Sequence, residues 1–80
     1  MVASYPAYDE IINFIASGPS PSAIIAFRPS ETTRQRVLDL LYNEKNAILS
    51  VQEKSELEHY LVLEHIFRMA KVRARRNLAA

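Results

Sequence analysis

Apolar residues recur along this chain at helical spacing. Tyr8, Ile11, Ile12 and Ile15 stand at i, i+3, i+4 and i+7, one stripe of a helix. Val37, Leu38, Leu41 and Tyr42 form a second stripe, widened by Leu40, with Gln35, Arg36, Asp39 and Asn43 on the opposite side. From Val51 to Arg76 neither proline nor glycine interrupts the chain, and apolar residues fall on more than one face. No run alternates with the two-residue period of a half-buried strand. The pattern predicts an all-α fold, with helices over 7–17, 21–26, 31–45 and 51–76.

Punctuation supports these limits. All four prolines and the single glycine lie in the first 29 residues. Gly18 suits the left-handed position after a helix end, and Pro19 stops continuation. Ser20-Pro21 reads as an N-cap followed by a first-turn proline, opening a short helix with Ala23, Ile24 and Ile25. Arg28 precedes Pro29 and is driven toward extended geometry. Ser30 is the next N-cap, and Ser50-Val51-Gln52-Glu53 fits the reciprocal S-x-x-E capping box. The short connection through Ala47, Ile48 and Leu49 folds the last two helices into an antiparallel αα-hairpin, with Ile48 and Leu49 plugging its open end. The chain reads as one domain over 1–80: a punctuated segment over 1–29 and a helical hairpin over 30–78.

The last helix carries the functional expectation. Tyr60, Leu63, Phe67, Ala70 and Ala74 are spaced 3, 4, 3, 4, the seam of a short coiled coil. Val62, Ile66 and Met69 make a second stripe; Leu57, Leu61 and Val72 make a third. Eighty residues offer few elements to cover so much apolar surface, and small domains bury a smaller share of their surface. A homodimer, or a complex with another protein, is therefore expected. Leu61, Val62, Ile66, Phe67, Met69 and Val72 are the candidate interface, a set the pattern divides between partner surface and intrachain core without sorting them.

Composition narrows the classes. Hydrophobic residues make up 49% of the chain, which excludes disorder by composition. With no cysteine there is neither disulfide nor thiolate metal site. No stretch approaches a membrane-spanning run, and the first ten residues lack the basic and apolar regions of a signal peptide, so a cytoplasmic address is expected. The net charge of +1 conceals an asymmetry, because five of the ten Lys and Arg residues are Arg68, Lys71, Arg73, Arg75 and Arg76.

Few patterns point to chemistry. Glu56-x-x-His59 has the i, i+3 spacing with which bundle helices hold di-iron centres, but such a site needs a second copy and further carboxylates. Glu58 and His65 share a side two turns apart, too far for an acid–base couple; His65 reads as a surface or interface residue. Nucleophile elbows, phosphate loops and zinc-protease motifs are missing. No catalytic residue, metal, cofactor or small-molecule substrate is expected. The five basic residues match the helix dipole at its C-terminal end and form a candidate patch for an acidic partner or nucleic acid. They spread around the helix and have no aromatic interleaved after Phe67, so any nucleic-acid binding is expected to be weak and nonspecific.

Five segments carry a family resemblance. They are Ile11-Ile12-x-Phe14-Ile15-Ala16-Ser17-Gly18-Pro19; Phe27-Arg28-Pro29-Ser30 with Arg36-Val37-x-x-Leu40-Leu41; Leu49-Ser50-x-x-Glu53; Glu56-Leu57-x-x-Tyr60-x-x-Leu63-Glu64-His65; and Lys71-x-Arg73-Ala74-Arg75. Together they resemble a family of short, chiefly cyanobacterial helical proteins encoded beside small HNH-type nuclease genes, in arrangements like toxin–antitoxin modules. The resemblance implies an accessory or antitoxin-like partner protein without catalytic residues of its own. The residues themselves imply an interaction module.

Overall fold

The computed structural model describes residues 5–79 as four α-helices: α1 (Asp9–Ala16), α2 (Pro21–Ala26), α3 (Glu31–Lys45) and α4 (Val51–Ala79). No strand occurs among the described residues. The serine caps form as their sequence positions require. Ser20 Oγ accepts from the Ala23 N–H and Ser30 Oγ from the Thr33 N–H, each at 3.2 Å. At Ser50 the box closes in both directions: the Glu53 N–H donates to Ser50 Oγ at 3.1 Å, and the Ser50 N–H donates to Glu53 Oε1 at 3.0 Å. Gly18 adopts φ +68° after α1, the left-handed geometry that glycine takes without penalty.

The hairpin turn holds a feature without a glycine signal. Ala47 sits at φ +58°. Its N–H donates to the Glu44 carbonyl at 3.1 Å, and the Ile48 N–H reaches back to the Asn43 carbonyl at 2.9 Å. This pair of bonds is a Schellman motif closing α3, built on an alanine where glycine is the usual choice. Ile48 is left 62% exposed, while Leu49 packs against the core; only Leu49 plugs the hairpin.

α4 is the spine. Its 29 residues span about 43 Å at 1.5 Å per residue, close to the 47 Å long axis of the molecule. The shortest dimension, 18 Å, is about two helix layers. α1, α2 and α3 cover one face of α4, and α2 packs on it more extensively than α3 does. Ala70 and Ala74 lie on the covered side, and such small side chains permit a short interaxial distance. The 3, 4, 3, 4 seam from Tyr60 to Ala74 is this covered side: it packs within the chain, with Tyr60, Phe67 and Ala74 buried.

The core joins Ala7, Ile11, Leu40, Leu57, Tyr60 and Phe67, with Phe14, Ile24, Phe27, Val37 and Leu63 among the residues packed against it. Phe14, Phe27 and Phe67 form a triad with centroid separations of 4.4, 5.0 and 5.8 Å. Such edge and tilted contacts are worth about 0.5–1.5 kcal/mol beyond area burial. The triad explains two departures from the expected stripes. Along α1 and the turn before it the core line is Ala7, Ile11 and Phe14, leaving Ile12 and Ile15 exposed, because burying Phe14 on two aromatic rings turns the helix toward them. Phe67, expected among interface candidates, is only 7% exposed and belongs to the core for the same reason.

α3 is turned as well. Leu40 is fully buried and Val37 half-buried, while Leu38, Leu41 and Tyr42 face solvent. Arg36 and Asn43, expected on the polar side, flank the buried line. Polar ties fix this rotation. The Ser30 N–H donates to Glu10 Oε1 at 2.7 Å at the head of α3, and Arg36 is clamped to Glu56 of α4.

Candidate docking face

The carboxylate of the Glu56-x-x-His59 spacing is held by Arg36 and the Ala7 N–H. Glu56 Oε2 accepts from Arg36 Nε at 2.9 Å, and Oε1 accepts from Arg36 Nη2 at 2.7 Å, a bidentate fork. Oε2 also accepts from the Ala7 N–H at 2.7 Å. The Arg36 hydrogen bonds hold the Glu56 carboxyl below its ordinary range against the opposing effect of burial, with the Ala7 N–H adding to the lowering. The same pair raises Arg36. Glu56 thus accepts three hydrogen bonds within the chain, and His59 stacks edge-on against Tyr8 at 5.6 Å. Among the described residues no three His, Cys, Asp or Glu side chains converge as metal ligands. A depression between the N-terminal segment, α1 and α3 is lined by Glu10, Ser30 and Arg36, and these groups are already engaged with one another and with Glu56.

The basic end is dispersed. Lys71 donates to the Phe27 carbonyl at 2.8 Å, closing the end of α2, and lies 5.7 Å from the centroid of Phe67. Burial, then repulsion from Arg28 and Arg75, holds its ammonium below the usual lysine range. Arg68 pairs with Glu64 at 3.0 Å, a surface i, i+4 contact. Of the expected basic patch, Lys71 thus has a structural task and Arg68 a local partner. Arg73, Arg75 and Arg76 remain exposed; Arg73 and Arg76 lie about 60° apart around α4, with Arg75 about 100° from Arg76 and about 160° from Arg73. Arg28, a cation the linear pattern did not attach to this end, is close enough to Lys71 to repel its charge.

The outer face of α4 is continuous. Leu61 is 42% exposed, Val62 59%, Ile66 53%, Met69 59% and Val72 52%. These are five of the six expected interface residues, and they run together over about three turns on the side of α4 opposite Tyr60, Phe67 and Ala74. The sequence presents them as parts of two stripes. The fold merges them, because Leu57 leaves the third stripe for the core. Exposed apolar residues scattered singly are ordinary, whereas these five are neighbours on one helix. No helix among the described residues is long and apolar enough to cross a membrane. No protein-family model, curated protein or solved structure matches this chain, so the antitoxin-like resemblance rests on its motifs alone.

Proposed function

We propose that this protein is a small helical interaction module that docks another protein chain on the outer face of α4. The observation that carries the reading is the strip formed by Leu61, Val62, Ile66, Met69 and Val72, left bare by a fold that has already used α1, α2 and α3 on the opposite side. An interaction role also agrees with the antitoxin-like resemblance. Nucleic-acid binding is the weaker reading, since Lys71 and Arg68 are engaged within the chain.

The test is a double substitution, Val62→Asp with Met69→Asp, at two exposed positions. Helicity and melting of the variant should match the wild type within a few degrees, because neither residue packs in the core. Its association with any protein chain, a second copy included, should be lost in solution and in the native host. A variant that keeps the wild-type complexes would refute the reading. The nucleic-acid alternative predicts instead sequence-selective, nanomolar retention of duplex DNA by the isolated chain at physiological salt.

A further inference from the structure

The occupant of the α4 face can be named from its charge pattern. Glu58, Val62, His65, Met69, Val72 and Arg76 are spaced 4, 3, 4, 3, 4, and all six are exposed. These positions have the spacing of a coiled-coil seam, on the reverse of the one that forms the core. Its apolar middle is flanked by Leu61 and Ile66. Its two ends carry opposite charges. Glu58 and Arg76 are eighteen residues, five full turns, apart, so both lie on the midline of the face, about 27 Å from one another. Among the described residues neither has an ion-pair partner within the chain.

We infer that a second copy of this chain lies antiparallel across this face, Glu58 of each copy meeting Arg76 of the other. The inference rests on the docking reading above and names its partner. A two-fold axis level with residue 67 gives three kinds of layer, each occurring twice. Glu58 faces Arg76 at the ends, Val62 faces Val72, and His65 faces Met69 nearest the axis. Each layer joins residues whose numbers sum to the same value, as antiparallel two-fold symmetry demands. A parallel pair would set Glu58 against Glu58 and Arg76 against Arg76, and such like-charge contacts oppose association. The self-complementarity is thus specific to one orientation. The apolar strip offers on the order of 400 Å² per chain, the size of an interaction patch and less than the half-share of a standard interface. An interface of that size is a weak one, so the dimer is reversible.

Sedimentation equilibrium on the full chain, over roughly 1–500 µM, should give a mass rising from one chain to two. Glu58→Lys and Arg76→Glu should each weaken the dimer by about tenfold, and the double charge swap should return it close to wild type. Both positions are exposed, and matched circular dichroism of the dilute monomers controls for folding. The chain has no cysteine, so introduced thiols report the orientation. A mixture of Val62→Cys and Val72→Cys chains should form the mixed disulfide under mild oxidation, and Val62→Cys alone should not. A constant single-chain mass, a double swap that fails to restore association, or efficient Val62→Cys self-linking would each overturn the inference. If the wild type stays monomeric while the Val62→Asp, Met69→Asp variant loses a different protein partner, the docking reading stands and only the identity of the occupant is wrong.

Discussion

Removing the Glu56 carboxylate tests whether one partly buried ion pair sets the rotation of α3 on α4. Glu56→Ala deletes three hydrogen bonds at once, two from Arg36 and one from the Ala7 N–H. The side chains are 11% exposed for Glu56 and 33% for Arg36, so the pair lies between the surface and buried limits. Exposed pairs are worth about 0.2–1 kcal/mol, and breaking fully buried ones costs about 3–5 kcal/mol. Arg36 can turn partly to solvent, which discounts the upper limit, while the Ala7 N–H loses its acceptor. The expected loss is about 2–3 kcal/mol. For a domain of this size that is a melting decrease of roughly 10–20 °C, measured at one fixed concentration because association also shifts the midpoint. A cycle with Arg36→Met should return a coupling of about 1 kcal/mol or more. The pH dependence follows from the direction of the shift. Glu56 titrates lower in the folded chain than its ordinary 4.5, so its contribution is complete above that value and disappears as pH falls through the lowered one. The gap between wild type and Glu56→Ala should therefore narrow in acid. A variant within about 0.5 kcal/mol of wild type at pH 7, or a gap unchanged at pH 3, would refute the argument.

Burial and backbone geometry give two further expectations. Leu40→Ala should cost about 2–5 kcal/mol in chemical denaturation, because Leu40 is fully buried, whereas Leu38→Ala at a 59% exposed site should change stability by less than about 0.5 kcal/mol. The two left-handed positions should respond in opposite directions: Gly18→Ala, where a Cβ meets open space and only φ is unfavourable, should cost about 1 kcal/mol, and Ala47→Gly should gain about 0.5–1 kcal/mol in the same melts.

Helix limits were legible because capping is local. Ser20, Ser30 and Ser50 each bond within three residues of themselves, and Gly18 and Pro19 act on the backbone at their own positions. The α2, α3 and α4 starts therefore fall where the serines place them, and the all-α class follows from the period of the apolar residues. Which side of each helix faces inward is a different kind of fact. Ile12 and Phe14, or Leu38 and Leu40, are equally apolar, and their helices could turn either residue inward. The choice depended on Phe27 and Phe67, far away in sequence, and on the clamp between Arg36 and Glu56, twenty residues apart.

The same distinction governs the site. From the sequence alone α4 carries more apolar surface than its neighbours can cover, and that holds whichever way it packs. Only the tertiary structure assigned Tyr60, Phe67 and Ala74 to the core and left Val62, Ile66, Met69 and Val72 outside. It also engaged Lys71 with the Phe27 carbonyl, giving one cation of the basic run a structural task that the linear pattern does not show. Local hydrogen bonds and periodicity decide what a segment becomes. Facing and pairing are long-range, because a side chain's burial energy is set by partners that the chain brings together only on folding.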